Sequence, residues 1–296
     1  MSQPSIQALK LVEKGWPGPI TIVFELDQTS LAQQQKKYNK ETYNILYGNG
    51  NVGIRCPDLP VCSRILSAAL VPIVAPSANP DSLLPALSAQ QVIDYFDGKI
   101  EGVIDGGESS CRYKKSSTVV KLGAKGIEIL REGVYSKEDI LKMATVRILF
   151  VCTGNSCRSP IAEGLCKKIL ADKFGCSIDE LSNFGYKIES AGVAAIDGLP
   201  ASTEAEVVCR EFGTSTADHQ TRQLTFQVIQ GADLIFVMSW AHFHACMEIS
   251  GSIGGQIRML DEKSEVQDPI GRGIQAYREC AEQIVSALKE RIDEFL

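Results

Sequence analysis

Apolar and polar positions divide the chain into two differently patterned parts. In the later part, Arg147–Cys152 is an apolar run entering a glycine-containing turn, and Ser159–Leu170 has helical periodicity. Ile188–Ala191 reads as a short strand, Ala201–Phe212 as a helix and Asp233–Met238 as a continuous apolar strand. Tyr277–Leu296 closes the series as a long amphipathic helix. Strands that are apolar at every position are buried on both faces. Their alternation with helices predicts an α/β fold, a parallel sheet with helices on both faces.

The earlier part does not alternate in this way. Short strands are expected at Ile20–Leu26, Val71–Ala75, Gly102–Ile104, Ser117–Leu122 and Ile127–Leu130, with a turn at Gly123–Gly126 joining the last two. Leu9–Lys14, Val61–Ala69 and Ser88–Phe96 have helical spacing. The mixture predicts an α+β arrangement. Ser136–Met143 is polar and separates the two patterns, so the expected divisions are a domain at 1–135, a linker at 136–144 and a domain at 145–296.

With 44% hydrophobic and 22% charged residues in 296, the composition excludes a disordered chain, a collagen-like repeat and a small disulfide scaffold. A net charge of −6 gives no overall attraction to nucleic acid or an anionic membrane. The charge is unevenly placed: 16 basic and 15 acidic residues precede the boundary at Ala144, and 14 basic and 21 acidic residues follow it. The apolar runs are far shorter than the ~18 residues of a membrane span. Met1–Ser5 has no charged segment leading into an apolar one, so a cytoplasmic protein without a membrane partner is expected. The ten cysteines form no Cys-x-x-Cys pair, and His219, His242 and His244 complete no zinc pattern. No metal and no cofactor is therefore expected, and most of the cysteines are expected to pack as small buried hydrophobes.

The chemistry concentrates in Val151–Pro160, which reads Val-Cys-Thr-Gly-Asn-Ser-Cys-Arg-Ser-Pro. This loop joins a buried strand to a helix N-terminus, where free amides and the helix dipole favour an anion. Ser159 is suited to cap that helix and Pro160 to its first turn. Cys152 opens the loop and Arg158 closes it, with Thr153, Gly154, Asn155, Ser156 and Cys157 between them. A ring of backbone donors with a guanidinium on its rim matches a tetrahedral dianion, two of whose oxygens Arg158 can hold. Cys152 would then lie beneath the phosphorus as a thiolate, attack in line and form a phosphocysteine.

The segment resembles the active-site loop of low-molecular-weight protein tyrosine phosphatases, and the similarity runs over roughly residues 145–296. Ser190-Ala191-Gly192, His219 ahead of Arg222-Gln223-Leu224, Ala232–Met238 and Asp268-Pro269 are its supporting marks. The resemblance implies that Asp268 is the general acid, protonating the leaving atom and later activating water. It further implies that Asn155 and Ser190 shape the loop, that the Ser159 hydroxyl lies near the thiolate, and that His219 supports them. Cys157 would form a reversible disulfide with Cys152, guarding it from over-oxidation. His242 and His244 are expected as solvated helix residues. The implied substrates are phosphorylated proteins.

Three departures bear on which ones. Ile270 follows Asp268-Pro269, and residues 193–196 carry no aromatic, where eukaryotic members of the family have aromatic residues. Ser156 stands where an apolar residue suits phosphotyrosine and a threonine marks protein arginine phosphatases, so phosphotyrosine and phosphoarginine both stay open. The same loop also resembles that of thioredoxin-coupled arsenate reductases. Those need two relay cysteines after the strand Asp233–Met238, where only Cys246 is near.

The first ~135 residues resemble the later portion of a threonylcarbamoyl-AMP synthase (YrdC-like) domain. The matching runs include Trp16–Thr21, Val52–Asp58, Ala75–Asn79, Asp105–Gly107, Ser116–Val120 and Ile129–Gly133. The resemblance implies a basic concave α/β surface that binds ATP, threonine and bicarbonate, with Arg55, Ser77 and Asn79 at ligand-contacting positions, and residual nucleotide or double-stranded RNA binding is expected of it. The family's opening elements and their cations have no counterpart, and Arg131-Glu132-Gly133 replaces the usual Arg-Pro-Gly. A partial domain is therefore expected, with threonylcarbamoyladenylate synthesis as the alternative activity.

Overall fold

The computed structural model describes residues 4–80, 83–107, 113–123, 126–251 and 256–296. Cys111 and the turn positions 124–125 lie outside the described residues. The fold divides into two compact units, one built from residues 8–143 and the other from residues 144–296 with Ser5–Gln7.

The first unit draws on α1 (Ile6–Gly15), β1 (Ile20–Glu25), α2 (Gln28–Lys37), α3 (Lys40–Tyr47), β2 (Asn51–Arg55), α4 (Pro60–Ala69), α5 (Ala89–Phe96), β3 (Thr118–Gly123), β4 (Gly126–Arg131) and α6 (Lys137–Ala144). Its mixed sheet has the order β2-β1-β3-β4, with β1 and β3 parallel and both outer pairs antiparallel. Ile20, Ile22 and Val120 are buried on the sheet, together with Leu11 of α1. No residue of α4 or α5 is buried.

Three expectations change here. Val71–Ala75 is irregular rather than a strand, because Pro72 and Pro76 cannot donate to a ladder. Gly102–Ile104 is also irregular, and Ile104 is exposed. Residues 136–144, expected as a linker, are largely the helix α6: Ser136 Oγ accepts from the Asp139 amide, while the Asp139 carboxylate accepts from the Ser136 amide.

The second unit contains β5 (Val146–Cys152), α7 (Arg158–Phe174), a 3-10 helix (Ile178–Phe184), β6 (Tyr186–Gly192), α8 (Thr203–Glu211), α9 (Phe226–Gln230), β7 (Leu234–Val237), α10 (Trp240–Ser250), β8 (Ile257–Met259), α11 (Gly273–Glu290) and α12 (Ile292–Phe295). The sheet is parallel throughout, in the order β6-β5-β7-β8. Because side chains alternate along a strand, β5 feeds two cores. Ile148 and Phe150 join Ile161, Leu165, Phe236 and Ile284 on the face covered by α7 and α11. Leu149 and Val151 join Ile229, Ile235, Val237 and Cys246 on the opposite face. This is the α/β architecture read from the apolar runs. The C-terminal helix differs from the expected span. It starts at Gly273 and stops at Glu290, where buried Arg291 turns to hydrogen-bond the Met259 and Leu260 carbonyls.

Strand order fixes where chemistry can sit. The chain leaves β5 for β6 on one side and returns to β7 on the other. Loops at the carboxyl ends of β5 and β7 therefore diverge and leave a crevice between them. The loop Thr153–Cys157 follows β5, and Met238-Ser239 leads from β7 into α10.

Candidate active site

Asn155 holds the loop in its turn. It has φ +54°, a left-handed conformation that asparagine tolerates better than other non-glycine residues. Its side chain is fully buried and saturated: Nδ2 donates to Ser159 Oγ at 3.0 Å and to Ser190 Oγ at 2.8 Å, and Oδ1 accepts from the Arg222 amide at 2.8 Å. Ser190 Oγ–H donates to Glu163 of α7 at 2.6 Å. His219 Nε2 lies 2.7 Å from the Asn155 carbonyl oxygen. Asn155, Ser190 and His219 thus meet around one turn of backbone.

The loop is also sewn to the end of β6 and to the segment between β6 and α8. The Cys152, Thr153 and Ser156 carbonyls accept from the amides of Val193, Ala194 and Ser202. With those carbonyls turned outward, the amides of residues 153–157 take no backbone hydrogen bond among the described residues. A ring of free donors results, as an anion cradle requires.

Cys152 ends β5 at the base of that ring, 2% exposed, with its Sγ 3.0 Å from Ser159 Oγ. Ser159 accepts from Asn155 Nδ2, which leaves its own proton for the sulfur or, at 3.4 Å, the Ala191 carbonyl. Ser159 is not the helix cap expected for it. The helix begins at Arg158 with Cys157 in the cap position, and no side chain closes the first turn. The hydroxyl is used on the thiol instead, and the first turn of α7 carries no side-chain cap.

Arg158 is buried, and its Nη2 reaches Asp268 Oδ2 at 2.6 Å and Thr153 Oγ1 at 3.4 Å. Asp268 is half-exposed, so the pair lies at the mouth of the loop. Cys157 Sγ is 3.1 Å from Tyr277 Oη of α11 and 3.5 Å from Ser156 Oγ. Burial and the Cys157 hydrogen bond push the Tyr277 hydroxyl pKa up, so it stays protonated.

His242 corrects an expectation. It is not solvated but 4% exposed, at the first turn of α10. Its Nε2 lies 2.8 Å from Thr153 Oγ1 and its Nδ1 2.9 Å from Ser239 Oγ. Burial, then the positive charge of Arg158, hold its pKa down to about 4, against smaller opposing effects of Asp268 and Glu265. Spacing alone does not mark it: it stands five residues past the end of β7, and only the strand order brings that segment beside the loop after β5. His244 is exposed, as expected. Glu163 and Tyr277 were also missed, since each acts through a contact between distant segments, and Arg222 was named only as a mark of the resemblance.

The remaining predicted positions lie elsewhere. Arg55 ends β2 and is exposed, and Ser77 lies exposed in the irregular segment before α5. Asn79 Nδ2 donates to the Pro80 and Leu83 carbonyls, which shapes its own turn. Among the described residues no hydrogen bond joins the three. Cys246 is fully buried in the α9–α10 core, where burial pushes its thiol up to about 12, so it is poorly placed to relay a disulfide.

Two family models match the chain. Residues 2–133 match the Sua5/YciO/YrdC model, described as telomere recombination, and residues 147–295 match low molecular weight phosphotyrosine protein phosphatase. The chain is 34% identical over 133 residues to a probable low molecular weight protein-tyrosine-phosphatase, AmsI, of Erwinia amylovora, covering 44% of this chain and 83% of that one. It is 32% identical over 146 residues to the phosphatase Etp of Escherichia coli K12, covering 48% and 90%. A protein-arginine-phosphatase of Geobacillus stearothermophilus is 31% identical over 155 residues, covering 51% and 95%. The match spans half of the sequence and contains the whole loop from Cys152 to Arg158, so the chain belongs to the low molecular weight phosphotyrosine protein phosphatase family.

Proposed function

We propose that residues 144–296 hydrolyse phosphoryl groups on proteins through a phosphocysteine at Cys152. The observation that carries this is the buried Cys152 sulfur, 3.0 Å from the Ser159 hydroxyl, at the base of a ring of amides left free by outward-turned carbonyls. The Cys152 thiolate attacks phosphorus, and the bond to the leaving oxygen or nitrogen breaks as Asp268 protonates that atom. Asp268, now a carboxylate, takes a proton from water. The resulting hydroxide attacks the phosphocysteine, releasing orthophosphate and restoring the thiolate.

Arg158 Nη2 lies 2.6 Å from Asp268 Oδ2, so the guanidinium that would hold the phosphoryl oxygens also holds the acid beside the loop. Ser156 at the loop, with no aromatic at 270 or 193–196, favours phosphoarginine over phosphotyrosine. Cys157 supports a redox role: hydrogen peroxide would oxidise the Cys152 thiolate to a sulfenic acid with release of hydroxide, and the Cys157 thiol would then displace water from that sulfur to form the disulfide. Residues 2–133, by their own family match, are proposed to retain nucleotide or RNA binding, which calorimetry with ATP and duplex RNA on the full chain measures. A cytoplasmic location agrees with these roles. No helix among the described residues is long and apolar enough to cross a membrane.

Hydrolysis of p-nitrophenyl phosphate tests the reading. Cys152→Ser is expected to abolish turnover without loss of fold, and Asp268→Ala to lower kcat while phosphate still inhibits competitively. Full activity in Cys152→Ser refutes it. Phosphotyrosine and phosphoarginine peptides, compared in the wild type and Ser156→Ile, decide the substrate. The isoleucine variant is expected to shift kcat/KM toward phosphotyrosine.

A further inference from the structure

Beside the loop, the crevice between β5 and β7 holds a second set of polar groups that the phosphoryl-transfer steps do not use. Ser239 caps α10, its Oγ accepting from the His242 amide at 3.4 Å. That leaves the Ser239 proton for His242 Nδ1 at 2.9 Å. Nδ1 is then the acceptor of the ring, and the ring proton sits on Nε2. Nε2–H donates to Thr153 Oγ1 at 2.8 Å, and Arg158 Nη2–H approaches the same oxygen at 3.4 Å. With both acceptor directions of Thr153 Oγ1 occupied, its one proton is available only as a donor.

We propose that His242, fixed as the Nε2–H tautomer by Ser239, is a positioning residue that turns the Thr153 hydroxyl into a preset proton donor at the anion loop. Thr153 directly follows Cys152, so this donor adds a side-chain hydrogen bond to the amides that receive the phosphoryl oxygens. Preset donors contribute most where charge develops, in the transition state. The same hydroxyl accepts from Arg158, whose Nη2 also holds Asp268, so the relay Ser239–His242–Thr153 steadies the guanidinium from its buried side. Burial, then the positive charge of Arg158, holds the His242 pKa down to about 4 against the smaller opposing effects of Asp268 and Glu265, so the ring is uncharged at neutral pH. His242 therefore acts by orientation and moves no proton during turnover.

The proposal rests on the phosphatase reading, and a mutant cycle in the full-length protein separates the two. His242→Ala is expected to lower kcat for p-nitrophenyl phosphate about 10- to 100-fold with KM nearly unchanged. His242→Gln, whose side-chain amide can donate to Thr153, is expected to restore most of that loss. Neither variant is expected to move the pKa values of the pH–rate profile. Thr153→Val is expected to lose as much as His242→Ala, and the double variant no more than either alone. Long-range proton–nitrogen NMR of the Cys152→Ser protein should show His242 protonated at Nε2.

Multiplicative losses in the double variant, an Nδ1–H tautomer, or a pH limb that vanishes with His242 overturns the proposal. If Cys152→Ser is inactive while those results appear, only the role of His242 fails. If Cys152→Ser stays active, the phosphatase reading fails first.

Discussion

Asn155 carries the largest share of the loop's geometry, because one left-handed residue satisfies Ser159, Ser190 and Arg222 at once. Gly192 is its counterpart across the β6 edge. A Cβ there would lie 2.5 Å from the Thr153 carbonyl oxygen and 2.8 Å from the Asn155 amide nitrogen, both backbone atoms. Gly192→Ala must push the loop away from β6. It is expected to cost about 1–3 kcal/mol of stability and a larger factor in kcat/KM than in thermal midpoint, read by denaturation and turnover on the same preparation. An active, fully stable Gly192→Ala would mean that the loop does not need this approach. The turn from Cys152 to Arg158 was legible as a strand-to-helix loop, because its residues are consecutive in the sequence. His242 was not, because its importance comes from a strand order that places the β7 loop beside the β5 loop.

At the scale of elements, burial decides which patterns could be read. β5 and β7 are apolar at nearly every position and were recognisable, since both their faces are covered. The helix α2 is rich in glutamine and buries only Ser30, so no periodicity announces it; its caps at Asp27 and Tyr38 do more than its faces. Val71–Ala75 looked like a strand by composition, but prolines deny it the ladder that would make it one. The turn after α8 shows an element held by charge. Glu206 Oε2 accepts from the Thr216 amide at 2.5 Å and hydroxyl at 2.9 Å, while Oε1 meets Arg210 and Ser215. Burial opposes its ionisation, but these bonds outweigh it and hold the carboxyl at about 2. A depressed pKa contributes stability that is present above the unfolded value near 4.5 and is lost as pH falls toward 2. Glu206→Gln is therefore expected to lower the melting midpoint at pH 7 and to converge with wild type near pH 2. A constant difference across that range would contradict the assignment.

On the scale of the whole molecule, the two units are unequal. The phosphatase unit has two cores, one on each face of its sheet, with stacked Phe150 and Phe236 and the ring of Phe295 against the latter. The first unit leaves Ile45, Ile65, Leu66, Leu70, Ile73 and Val74 exposed, and its α4 and α5 bury nothing. Fewer buried contacts give lower local stability. Urea is expected to remove part of the far-ultraviolet dichroism at a concentration that leaves p-nitrophenyl phosphate hydrolysis intact, with activity lost in a second transition. A single coincident transition would show that the two units unfold together.

The measurement closest to the central claim is mass spectrometry of the full-length protein, quenched in acid during turnover of p-nitrophenyl phosphate. One phosphoryl group is predicted on the peptide that contains Cys152, absent from Cys152→Ser and lost on return to neutral buffer. A phosphoryl group on any other residue, or turnover by the Cys152→Ser protein, would contradict the account.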